Sequence, residues 1–419
     1  MPSTTRSPAR RNPATTSPAR QSPQSRGTNA GFALSIFSLT AMMAGASAPS
    51  PFYPVLAETI GFNASAITVI FAVYALTLLL TLLTAGSLSD HIGRRPVAST
   101  GLVLLAASVL VFWQADTVAL LVIARVVQGI ASGLLLSAVS AVIVDCEPPS
   151  RPGSAAAWTA VAPMLGLGIG SLVAGIVLDH ADNAMALVFA PLVVLYLVLA
   201  VLCWLVSETS ARKPGAWASL QFRLTVPAAM RADFLRGAPA IFAGWATGGL
   251  FLSLGANIVH AELGGVAHIW QGLAVGVLAG AGAIAAFALR RRSARTISIY
   301  GTAALALGTA LSIVALAAGS LPAYLVAVAV TGSGFGTAFF GVVSSLAPHI
   351  PASQRADVFA VIFLVSYLAF GIPTVIAGAL VPTFGLTPVS YGYGAVVIVL
   401  AATACILTMR QRPAAPTRS

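Results

Sequence analysis

Long apolar runs alternate with short polar connections along almost the whole chain, and charged residues mark where each run stops. A helix that crosses a membrane needs roughly 20 apolar residues. By that measure the pattern predicts twelve crossings, at residues 31–56, 64–88, 97–115, 118–144, 154–178, 184–206, 238–261, 268–289, 297–318, 323–347, 357–381 and 388–409. Two charge-free intervals are long enough for two crossings each. The interval 296–354 is expected to break at Gly319, Ser320 and Pro322, and the interval 358–409 around Pro382, Gly385 and Pro388.

Composition removes the soluble alternative. Of the 419 residues 58% are hydrophobic and 8% charged, with a mean hydropathy of +0.92, whereas soluble domains carry about 25% charged residues. The net charge of +11 would suit a nucleic-acid partner on a soluble surface, but its placement excludes one. With the N-terminus inside, all of the 22 basic residues except Arg125 fall in cytoplasmic segments. The opposite connections carry Glu58, Asp116, Asp179, His180, Asp182, His260, Glu262 and His268. The expectation is a multi-pass protein of the cytoplasmic (inner) membrane with both termini cytoplasmic, surrounded by membrane lipids.

Domain limits follow. Residues 1–29 read as a disordered basic tail, 30–206 as a first bundle of six crossings, 207–237 as a central cytoplasmic loop, 238–410 as a second six-helix bundle, and 411–419 as a short tail. The halves resemble one another: span two ends in Arg94 and Arg95, span eight in Arg290, Arg291 and Arg292, while Pro163 in span five matches Pro373 in span eleven. Such internal repeats describe transporters that work by alternating access. Cys146, Cys203 and Cys405 imply no disulfide framework. The five histidines are scattered, no metal-ligand cluster or nucleotide-binding loop appears, and neither an enzyme, a metal nor a cofactor is expected.

The connection after span two reads GSLSDHIGRRP, Gly86–Pro96. Gly86 lets a helix end approach a neighbour closely. Asp90 can accept from free N–H groups at a helix start. Gly93 permits a turn at positive φ, and Arg94 and Arg95 can pair with carboxylates or lipid phosphates. On Gly86, Leu88, Asp90, Gly93, Arg94 and Arg95 the stretch resembles the signature loop of major facilitator superfamily transporters. A second resemblance lies in span four, where Arg125, Gln128, Gly129 and Gly133 match that superfamily's Arg-x-x-Gln-Gly-x-x-x-Gly motif. Arg125 is the only charge well inside a span, so it must be paired or face the bundle interior. The resemblance implies a role in proton coupling or in holding the core network. A loose match to the antiporter motif involves Pro163, Gly166 and Gly170 in span five, where small residues would pack against the other half. Pro49, Pro51 and Pro54 resemble the first-helix motif of twelve-span drug exporters, or simply end that helix.

The resemblance implies an all-α fold of twelve helices in two pseudo-symmetric six-helix bundles. It also implies a relay in which Asp145 pairs with Arg94, and a cavity lined chiefly by spans one, four, seven and ten. Polar and aromatic candidates for that cavity are Tyr74, Gln128, Trp158, Trp245, Asn257, Gln271, Phe335, Phe339 and Tyr367. All eleven acids lie at span ends or in connections, so no carboxylate waits mid-membrane for a cationic drug or a proton. The function expected is proton-coupled efflux of an apolar or amphipathic small molecule by a monomer. Import of a metabolite is the alternative, and a non-transporting receptor a more distant one.

Overall fold

The computed structural model describes residues 23–210, 214, 230–346, 350 and 355–410, with side chains at all of these except 23–28 and 355–357. The expected tails at 1–22 and 411–419, and most of the central connection, lie outside the described residues. Every regular element among those described is helical.

The first expected crossing, 31–56, is two helices rather than one. Helix α1 runs Pro23–Ser47, beginning inside the stretch read as a tail, and α2 runs Phe52–Ile60. The break has a simple cause. Pro49 has no N–H for the Gly45 carbonyl, and Pro51 has none for Ser47. Ser50 N–H instead bonds the Ser47 carbonyl at 2.9 Å, which also frees the Ala46 carbonyl. The first half continues as α3 Ala64–Ala85, a short α4 Leu88–Ile92, α5 Arg94–Trp113, α6 Val118–Asp145, α7 Ser154–His180 and α8 Ala184–Leu202. The side chains of Asn63, Thr117 and Asn183 accept N–H groups at the starts of α3, α6 and α8.

The second half opens with α9, Arg231–Ser253, so the connection expected to reach residue 237 ends at 230. After α9 the chain bends by 60° into α10, Gly255–Asn257, and a π-turn over Ile258–Glu262. Helices α11 His268–Leu289, α12 Ala294–Ala317, α13 Leu321–Leu346, α14 Arg355–Phe384 and α15 Leu386–Arg410 follow. The two long charge-free intervals break at Gly319 and Gly385, with φ of 62° and 84°, while Pro382 stays inside α14. Among the described residues eleven helices are long and apolar enough to cross a membrane, or twelve when the bent α9 and its continuation are one crossing.

Packing divides the bundle in two. One continuous core, including Leu39, Phe52, Ile67, Leu102, Leu135 and Phe189, lies wholly within α1–α8. Separate cores around Ile241, Val259 and Leu305 belong to α9–α15. The halves meet where α3 lies on α14 and α7 on α11. Without a hydrophobic drive in lipid, helices associate by close contact of small residues. Gly129 and Gly133 provide this between α6 and α3. A Cβ at Gly129 would stand 2.6 Å from the Tyr74 carbonyl, and one at Gly133 2.7 Å from Thr81. Gly129→Ala is therefore expected to push α6 off α3 and destabilise the first half by about 1–3 kcal/mol. A thermal midpoint in detergent equal to that of the parent chain contradicts this.

Candidate functional site

The Gly86–Arg95 loop is a folded knot. Gly86 ends α3, and a Cβ there would stand 2.3 Å from the Leu82 carbonyl of the same helix. Its missing side chain therefore serves the turn, not a neighbouring helix as expected. Leu88 anchors α4 on the first-half core. Gly93 has φ 113° and ψ 149°, conformations closed to other residues, and a Cβ there would also lie 2.7 Å from Glu208 Oε2. The turn feeds α5, whose first N–H groups need acceptors. Asp90 was expected to supply one, but Glu208 does so: its Oε1 accepts from Arg94 N–H at 2.9 Å and its Oε2 from Arg95 N–H at 3.2 Å. Asp90 pairs with the Arg94 guanidinium at 2.5 Å, and Asp145, the last residue of α6, lies 3.7 Å from Arg94 Nε. Thr209 donates to Asp145 at 3.0 Å and Ser210 to the Asp90 carbonyl at 3.0 Å.

Burial raises the Glu208 carboxyl, but the N–H groups of Ser210, Arg94, Arg95 and Thr209 outweigh it and hold it below its ordinary range. A depressed folded-state value means this carboxylate stabilises the knot above its ordinary value and loses that contribution as pH falls through the depressed one. Glu208, Thr209 and Ser210 were missed in the sequence because they stand more than 110 residues after the loop they close.

Deeper in the first half, Arg125 is 1% exposed. No carboxylate among the described residues lies within ion-pair distance. Its Nη2 and Nε donate to the Tyr53 hydroxyl at 2.6 and 3.1 Å, and Nη1 donates to the Ala46 carbonyl at 3.3 Å and to Gln128 Oε1. Gln128 Nε2 then donates to the Gly45 carbonyl at 3.0 Å. These two carbonyls are the ones released by the proline break, so the span-one prolines and the span-four motif are complementary parts of one structure. The rings of Tyr53, Tyr74 and Phe112 stand 5.6–5.7 Å from the guanidinium carbon. They surround the charge with π-electron density, which stabilises a desolvated cation by about 2 kcal/mol per good contact. Tyr53 was not singled out in the sequence, although the Pro51–Phe52–Tyr53–Pro54 run marks the place.

An aromatic cluster occupies the seam between the halves. Trp245 of α9 lies 4.9 Å from Tyr367, 5.7 Å from Phe339 and 5.7 Å from Phe370, and Phe370 lies 4.8 Å from Phe71 of α3. Tyr74 shares this cluster with Tyr367, so the Arg125 cage and the cluster are contiguous. Phe335 stands at its edge, across Gly248 from the α13 side. Trp158 is 39% exposed and outside the cluster, Asn257 belongs to the bend after α9, and Gln271 is buried near the start of α11. These three are not gathered with the others. The span-five glycines also need correction. Gly166 and Gly170 pack on Thr40 and Ala44 of α1, within the same half, while Gly168 and Gly175 meet α11 at Gly276 and His268. Pro163 lies inside α7.

Two helical halves with exposed apolar outer faces thus meet at a seam of aromatic and small residues. The profile described as Major Facilitator Superfamily matches residues 35–373, and the chain belongs to that superfamily. The quinolone resistance protein NorA of Staphylococcus aureus is 25% identical over 112 residues, covering 27% of this chain and 29% of that protein. The putative multidrug resistance protein MdtD of Klebsiella pneumoniae (strain 342) is 27% identical over 129 residues, 31% of this chain and 27% of its own. The chain thus aligns with under a third of either relative's length. The crystal structure of the human organic anion transporter MFSD10 (TETRAN) superposes with a TM-score of 0.66 at 16% identity, over 91% of this chain and all of that one, a likeness of fold.

Tyr53→Phe leaves two guanidinium nitrogens without an acceptor and is expected to destabilise the protein by about 1–3 kcal/mol. Gln128→Met, which removes one of the two acceptors of Arg125 Nη1 and leaves the Gly45 carbonyl without its donor, should do the same, and both read out as lowered thermal midpoints in detergent. A midpoint unchanged in Tyr53→Phe contradicts the cage.

Proposed function

We propose that this chain is a proton-coupled exporter that moves an uncharged, aromatic or amphipathic small molecule out across the cytoplasmic membrane. The bodies that move are α1–α8 and α9–α15, and the monomer is the working unit. The Asp90–Arg94 end is cytoplasmic, with both termini on that side, because the arginines gather there.

The observation that carries the substrate class is the contiguity of the aromatic cluster with a fixed, carboxylate-free cation. Trp245, Tyr367, Phe370 and Phe71 offer ring faces to a flat apolar molecule. Aromatic faces also attract cations, but here the Arg125 charge lies against Tyr74 of the same cluster and opposes a second positive charge. The partial likeness to two drug-resistance proteins supports export over import.

In this reading Asp90, Arg94, Asp145 and Glu208 hold the cytoplasmic end of the first half together while the seam opens elsewhere. Arg125 fixes the end of α1 and the start of α2 relative to α6. With no carboxylate mid-membrane, the coupling proton is carried by groups at span ends.

Reconstituted in proteoliposomes with an imposed pH gradient, the protein is expected to drive neutral aromatic compounds ahead of cationic ones of similar size. Trp245→Ala should weaken apparent substrate affinity by about tenfold without unfolding the chain. Preferential transport of cations, or flux that ignores the gradient, overturns this reading.

A further inference from the structure

The halves are held together at the end opposite the Asp90–Arg94 loop by a carboxylate of one that caps a helix of the other. Asp179 is the penultimate residue of α7. Its Oδ1 accepts from the backbone N–H of His268 at 2.8 Å and lies 2.9 Å from His268 Nδ1, and its Oδ2 accepts from Ile269 N–H at 2.7 Å. Helix α11 begins at His268, and the residue before it, Ala267, has no side chain that can cap. Asp179 therefore supplies from the first half the acceptor that the second-half helix lacks, where the helix dipole strengthens the bond. Two neutral bonds join the halves toward the same end, Ser50 Oγ to the Leu252 carbonyl at 3.0 Å and Ser65 Oγ to the Gly378 carbonyl at 2.8 Å.

Along the same seam the polar groups are poorly served. Ser171 of α7 and Gln271 of α11 are 0% and 1% exposed. Neither the Ser171 hydroxyl nor either amide atom of Gln271 has a hydrogen-bond partner among the described residues. Between them the helices pack closely: a Cβ at Gly272 would stand 2.4 Å from the Ser171 carbonyl. A buried polar group without a partner favours any rearrangement that wets it.

We propose that Asp179 is the latch of the external gate, and that Gln271, with Ser171, biases the seam behind it toward opening. The inference rests on the alternating-access reading above. When α7 and α11 part, Asp179 gives up its two N–H donors to water, while the Gln271 amide gains water that the closed seam denies it. The latch and the bias oppose each other, so neither state lies so deep that the cycle stops.

The test is a distance measurement on the full chain in lipid nanodiscs. Cys146, Cys203 and Cys405 are replaced by serine, and spin labels are placed at Asp116→Cys and Ala318→Cys, exposed positions at that end of each half. Double electron–electron resonance reads the ratio of long to short distances. Asp179→Asn is expected to raise that ratio on the order of tenfold. His268→Ala keeps both backbone donors and should raise it less, which gives a second reading if the first variant purifies poorly. Gln271→Met should lower it. An unchanged ratio in both Asp179→Asn and His268→Ala overturns the latch, and a raised ratio in Gln271→Met overturns the bias. A single distance in every variant of a protein that still binds compound refutes alternating access itself, a different failure from that of the latch.

Discussion

The first half is built around a positive charge that has been taken out of water without a counter-carboxylate among the described residues. An unpaired guanidinium inside a membrane is tolerated only when polar groups replace its hydration. Here the replacement comes from five elements. The end of α1 gives carbonyls, α2 gives the Tyr53 hydroxyl, α6 gives Gln128, and α3 and α5 give ring faces. Because each partner sits on a different helix, satisfying the charge fixes where those helices stand. The proline break is part of the same solution. A continuous first helix would have kept its carbonyls for itself and left Arg125 and Gln128 without acceptors.

That constraint reaches the seam. Tyr74 is both a wall of the arginine cage and a member of the aromatic cluster that includes Tyr367 of the other half. The proposed substrate site is thus apolar and aromatic, with a fixed cation behind one wall. At the two ends of the bundle carboxylates do different work. Glu208, Asp90 and Asp145 tie parts of one half to each other, whereas Asp179 ties one half to the other. An acid placed at a helix start is a local clamp, and which halves it joins decides whether it stiffens a body or restrains the motion between bodies.

The number of crossings and most of their limits were legible, because a run of apolar residues between charges has few other fates in a chain this hydrophobic. Gly319 and Gly385 marked two breaks correctly for the same reason that glycine marks them in any helix. The break after Ser47 was harder. Three prolines announced a disturbance, but whether they bend or end the helix depends on who receives the freed carbonyls, and Gln128 lies 83 residues away from Gly45. The bend after Ser253 carries no proline and gave no signal. The span-five glycines were expected to meet the other half, yet Gly166 and Gly170 point to α1 while Gly168 and Gly175 point to α11. Periodicity showed a small-residue helix and could not say which neighbour each side would meet. Glu208 and Tyr53 were invisible for a similar reason: their importance lies in partners distant in sequence.

The central claim is that an uncharged compound moving outward through this seam is exchanged for protons moving in. It is tested most directly by following protons rather than substrate. Purified protein is sealed in vesicles with a pH-reporting dye inside and no imposed gradient, and a neutral aromatic compound that binds is given as a gradient. The account predicts that flow of compound in one direction drives protons in the other, and that the signal disappears when a protonophore is added. Flow of compound with no change in internal pH, or with protons travelling in the same direction, would contradict it.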